Sequence, residues 1–160
     1  MNLRNPLSWL SLGFGSGLSP IAPGTMGSLV ALIVYYFFFY SLAANLINSF
    51  FFLIFILSSF LIGIYIYPKT VEKDDDPGSF VWDEFVGMWV ACLPLSYIEG
   101  SFLWLLVSFF LFRLFDIWKP LGIRTFDKGH GAFNVMIDDV IAGVYSAVSI
   151  VFLSTFFNYI

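Results

Sequence analysis

FVWDEFVGMWVACLPL, residues 80–95, sets two adjacent carboxylates, Asp83 and Glu84, at the mouth of an otherwise apolar segment of helical length. The residues around it explain the company those acids keep. Of 160 residues, 59% are hydrophobic and 11% charged, against roughly 25% charged in soluble domains. Together with a mean hydropathy of +0.89, that composition predicts an integral membrane protein.

Four more apolar runs accompany the one from Phe80 to Ile98: Met26 to Ala43, Leu46 to Tyr67, Phe102 to Trp118 and Ile137 to Phe157. Each approaches the length that crosses about 30 Å of hydrocarbon as a helix. The expected fold is therefore all-α, a bundle of about five transmembrane helices forming a single membrane-embedded domain over residues 1–160. Asn5 and Pro6 read as the cap and first turn of a short interfacial helix ahead of the bundle. A Gly/Pro-rich loop follows, in which Gly15, Gly17, Pro20, Pro23 and Gly24 oppose regular helix and Thr25 is the expected cap of the first span. No small-residue cleavage site follows the N-terminal apolar run, so a removed signal peptide is not expected.

Five crossings place residues 1–25, 68–79 and 119–136 on one face. Arg4, Lys69, Lys73, Lys119, Arg124 and Lys128 all fall there, and Arg113 lies toward that end of its helix, so the positive-inside rule makes that face cytoplasmic. The acids follow the same level. Asp83 and Glu84 begin the third span, Asp116 ends the fourth, and Asp138 and Asp139 begin the fifth, whereas Glu99 lies on the opposite side. Asp83, Gly87 and Ala91 recur at i, i+4 and i+8, as do Asp139, Gly143 and Ala147. Small residues let helices approach closely in lipid, so both aspartates are expected along packed interior faces.

Carboxylates within a span normally have partners or a function. One reading is structural, with Asp83, Asp116 and Asp139 pairing Arg113 and Lys119 to join helices. A functional reading starts from the excess of acids, which repel one another unless a divalent cation is shared. Oxygen ligands at a phosphate-handling site suit magnesium. Zinc suits the chain less well, since His130 is the only histidine and Cys92, the only cysteine, lies about two turns beyond Glu84 and reads as an inert core residue. Asp74 to Asp76 do not have the spacing of a calcium loop and read as a solvated turn. Arg113, Lys119, Arg124, Lys128 and His130 could meet a phosphate, Arg bidentately and Lys as a point charge, although lipid headgroup contact suits Lys128 better. Backbone amides near Gly24 and Thr25 could add donors, while Gly27 and Ser28 read equally well as helix-packing residues. A net charge of -4 with no basic run argues against nucleic acid.

The segments GFGSGLSPIAPGTMGSL, SFVWDEFVGMW, FRLFDIWKPLGIRTFD and HGAFNVMIDDVIAG together resemble the phosphatidylglycerophosphatase A family. They cover about half the chain, in order, and include every acid singled out above except Glu99 and the Asp74 to Asp76 run. The stretch between Asp127 and His130 is shorter than the family's pattern, which leaves Lys128 and His130 without an assigned role. The resemblance implies a Mg2+-dependent enzyme of the bacterial cytoplasmic (inner) membrane that faces the cytoplasm. Its substrate would be the lipid phosphatidylglycerophosphate, and its products phosphatidylglycerol and inorganic phosphate.

On that basis Asp83, Glu84 and Asp139 are expected to hold the metal, directly or through water, and Asp116 or Asp138 to position the attacking water. Arg113, Lys119 and Arg124, with Gly24 and Thr25, are expected around the substrate phosphate. A phospho-aspartate intermediate stays open beside direct attack of water. The rival reading from another class is a small cation or proton transporter with intramembrane acids. It calls for polar residues through the bilayer depth, and the second span offers only Asn48, Ser49, Ser58 and Ser59.

Overall fold

The protein's structure, a computed structural model, describes residues 3–40, 46–71, 78–98, 102–120 and 131–158. The described residues form helices and connecting turns, with no strand among them. Helix α1 (Pro6–Ser11) starts as expected, with the Asn5 side chain accepting from the Leu7 N–H at 3.0 Å and Pro6 in the first turn. A 3-10 segment (Gly13–Leu18) follows, broken by a kink at which Gly15 takes φ 101°, a left-handed value suited to glycine.

Helices α2 (Pro23–Phe38), α3 (Leu46–Thr70), α4 (Trp82–Ala91), α5 (Phe102–Trp118) and α6 (Ala132–Asn158) answer the five apolar runs. Several boundaries differ from the sequence reading, the last helix for instance beginning at Ala132 ahead of Ile137, and at two of them proline gives the reason. Pro23 is tolerated in a first turn, where its missing N–H costs nothing, so α2 starts there with Ala22 as its cap. Thr25 is accordingly inside the helix and is not its cap. The third run does not continue as one helix: after ten residues α4 gives way to a 3-10 turn, Leu93–Ser96, which contains Pro94.

Helices α3 and α6 are long and apolar enough to cross a membrane. The remaining three are shorter, α4 reaching only about 15 Å at 1.5 Å per residue. Large apolar side chains cover the outside of the bundle, among them Phe37, Phe51, Leu61, Phe110 and Phe152. An apolar exterior of that extent suits association with a membrane.

Helix α4 occupies the centre, touching α2, α3, α5 and α6. Every residue in it except Glu84 is buried. Its two tryptophans satisfy their polar edge while burying the ring, Trp82 Nε1 donating to the Ser59 carbonyl and Trp89 Nε1 to the Ala31 carbonyl, each at 3.0 Å. These bonds tie α4 to α3 and α2. Its N-terminal end is anchored to α1, whose Ser11 carbonyl accepts from the Val81 N–H at 2.8 Å, and Ser11 Oγ lies 2.7 Å from Thr70 Oγ1 at the end of α3. Cys92 is buried and free, as expected of a core residue.

Candidate active site

The two small-residue faces meet. A Cβ on Gly87 would stand 2.6 Å from the Asp139 carbonyl oxygen, and one on Gly143 would collide with the Gly87 carbonyl, so the backbones of α4 and α6 touch here. Asp83 and Asp139 each precede their glycine by one turn. Because both acids and both glycines pair, α4 and α6 run in the same direction, with α5 returning between them. The acids at the N-terminal end of α4 and near that of α6 therefore meet Asp116 near the C-terminal end of α5.

One oxygen from each of Asp83, Glu84 and Asp139 lies within 4.8 Å of the other two. Asp116 is close enough to act electrostatically on both Asp139 and Glu84. These side chains are scarcely solvated, with Asp83 9% and Asp139 4% exposed, so little water screens their mutual repulsion. Two local features ease it. Asp83 and Glu84 sit in the first turn of α4, where the helix dipole favours negative charge. The Glu84 N–H donates to Asp83 Oδ1, and the Asp139 N–H to Asp138 Oδ1, each at 3.1 Å.

Glu84 Oε2 is buried and, among the described residues, has no hydrogen-bond partner. An orphaned carboxylate oxygen beside two more carboxylates is costly unless a cation joins it. The three oxygens lie close enough together to share one hard divalent cation, with water completing the shell. The donor set fits as well, since all three ligands are oxygen.

The bases are partnered. Arg113 Nη1 lies 2.6 Å from Asp116 Oδ2 one turn away and donates to Ser28 Oγ at 3.2 Å, while its buried Nε has no partner among the described residues. Lys119 follows α5 in a left-handed conformation, φ 47°, and its Nζ lies 2.8 Å from Asp138 Oδ2. Asp138 thus binds Lys119 and the Asp139 N–H beside the acid trio. Gly24, in the first turn of α2, packs on the Glu84 carboxylate, and a Cβ there would collide with Glu84 Oε1 and come 3.5 Å from Arg113 Nη1. Thr25, next along α2, is half-buried.

Of the expected site residues, the structure thus gathers Asp83, Glu84, Asp116, Asp139, Arg113 and Gly24, and sets Lys119 with Asp138 as a neighbouring pair. Arg124, Lys128 and His130 lie outside the described residues, as do Lys73 and Asp74 to Asp76. Ser28 is the residue whose contact with the site the sequence does not announce. A serine that bonds an arginine 85 positions away leaves no local pattern, although its spacing of four from Gly24 places both on one face of α2.

Comparison with known proteins gives a consistent result. The family model described as phosphatidylglycerophosphatase A matches residues 9–154. A phosphatidylglycerophosphatase A of Escherichia coli is 40% identical over 150 residues, 92% of this chain and 83% of that protein. Its namesake in Haemophilus influenzae is 44% identical over 151 residues, 92% of this chain and 88% of the relative. A Bacteroides thetaiotaomicron protein, named provisionally as a phosphatidylinositol-3-phosphatase, is 38% identical over 142 residues, 88% of this chain and 89% of its own. No solved structure matches the chain.

Proposed function

The chain belongs to the phosphatidylglycerophosphatase A family, and from that premise we propose that it releases the terminal phosphate of phosphatidylglycerophosphate with the aid of magnesium held by Asp83, Glu84 and Asp139. Membership makes it a lipid phosphatase of phosphatidylglycerol synthesis and decides against the transporter alternative. The observation that carries the metal is the convergence of those three carboxylates with one oxygen of Glu84 left orphaned. When bound, magnesium would supply Lewis acidity toward the phosphate oxygens and offset the repulsion among the acids.

The chain's own residues divide the remaining work. Arg113 offers its guanidinium to the phosphate, with Lys119 and Arg124 adding positive charge. Asp116 or Asp138 accepts a proton from the attacking water as its oxygen bonds to phosphorus. Asp116 is the better placed, paired with Arg113 and near Asp139, whereas Asp138 is engaged by Lys119. The bond from phosphorus to the glycerol oxygen breaks, and that oxygen takes up a proton to leave phosphatidylglycerol. In-line positioning and charge neutralisation are what such a transfer chiefly requires.

We read the five apolar helices as crossing a bacterial cytoplasmic membrane, with the acid cluster at the cytoplasmic side. Lys69, Arg113 and Lys119 at that end support the orientation. The short α4 is compatible with it, because neighbouring helices shield its irregular end from lipid. The test is phosphate release by the purified protein from phosphatidylglycerophosphate, set against phosphatidylinositol 3-phosphate and phosphatidic acid. Phosphatidylglycerophosphate should be turned over fastest; a preference for the inositol lipid would move the chain's substrate toward that named for its Bacteroides relative.

A further inference from the structure

We infer that Ser28 is a positioning residue for the reaction, holding the Arg113 guanidinium in the orientation that meets the substrate phosphate. The inference rests on the reading of Arg113 as a phosphate ligand. Ser28 is fully buried, and its hydroxyl hydrogen is committed to the Gly24 carbonyl at 2.8 Å. The lone pairs of Oγ are thereby directed elsewhere, and Arg113 Nη1 donates to them at 3.2 Å.

The bond matters because of what else constrains Arg113. Asp116 holds the same Nη1 from within α5, so by itself that ion pair fixes the guanidinium relative to its own helix only. Ser28 ties it to α2, the helix whose Gly24 packs on the Glu84 carboxylate. One face of α2, through Gly24 and Ser28, thus sets the spacing between the acid trio and the base. A guanidinium held at Nη1 by two helices leaves its buried Nε, unpartnered among the described residues, to face a ligand. A planar fork of this kind recognises phosphate only when its plane is fixed.

The test is a double-mutant cycle of Ser28→Ala and Arg113→Lys, reading kcat and KM on phosphatidylglycerophosphate in mixed micelles. Arg113→Lys keeps the charge and loses the fork. Ser28→Ala should lower kcat/KM about tenfold in the wild-type background and less than twofold beside Arg113→Lys, as coupled residues do. Equal penalties in both backgrounds, including none, would overturn the inference, since a merely structural serine acts whichever base is present. If Arg113→Lys alone is without effect, the phosphate-binding reading fails and takes this inference with it; the cycle therefore separates the two failures. Uncatalysed phosphate-monoester hydrolysis is slow enough that strongly impaired variants still give measurable rates. Should Ser28→Ala not yield a folded protein in detergent, Ser28→Cys replaces it in the cycle, keeping the volume and substituting a weak acceptor.

Discussion

Gly87 and Gly143 bring two helix backbones into contact, and one turn before each stands an aspartate of the acid trio. The glycine contact is what allows Asp83 and Asp139 to approach. Gly87→Ala should therefore act on folding and on the site together, because its Cβ would press on the Asp139 carbonyl and on Phe112. Overpacking of this kind costs about 1–3 kcal/mol. A thermal unfolding midpoint in detergent equal to that of the wild type would show that the helices relax apart without penalty.

Gly24→Ala tests the approach of α2 to Glu84. The added methyl collides with the carboxylate, so Glu84 must turn away. The activity at saturating lipid should fall, and the magnesium concentration for half-maximal activity should rise about tenfold to a hundredfold, the usual cost of disturbing the support of a metal ligand. An unchanged magnesium dependence would separate Gly24 from the metal ligands.

Lys119 and Asp138 make a testable pair outside the acid trio. With Lys119 at 24% and Asp138 at 8% side-chain exposure, the pair lies between surface and core. Lys119→Met should destabilise the protein by about 1–3 kcal/mol, between the values for exposed and buried pairs. Lys119→Met with Asp138→Asn should recover most of that loss in thermal unfolding, since no lone buried charge remains. Equal destabilisation by the single and double variants would assign the effect to lost packing instead.

Much of the fold is legible in the sequence because hydrophobic length is a direct signal: the fourth run, Phe102 to Trp118, coincides with α5. Boundaries are less so where proline has two meanings. Pro23 begins α2 and Pro94 lies in the turn that ends α4, yet both look alike as helix breakers. The convergence of acids is legible from Asp83 and Asp139, each four residues before a glycine. The bonds of Arg113 to Ser28 and of Lys119 to Asp138 are not, because they depend on how α2, α5 and α6 are set against one another.

The carboxylate trio is the centre of the account, and Asp83→Asn addresses it through one of its members. The variant should remain folded, since the amide keeps the shape of the acid and relieves repulsion within the cluster, and should release no phosphate. Retained activity would remove Asp83 from the mechanism.

Chelation addresses the shared cation directly. Purified protein is given phosphatidylglycerophosphate with and without a chelator, and inorganic phosphate is followed over time. Release should stop in chelator and return when magnesium is added in excess. Release at the full rate with every divalent cation removed would contradict the assignment of Asp83, Glu84 and Asp139 as metal ligands for catalysis.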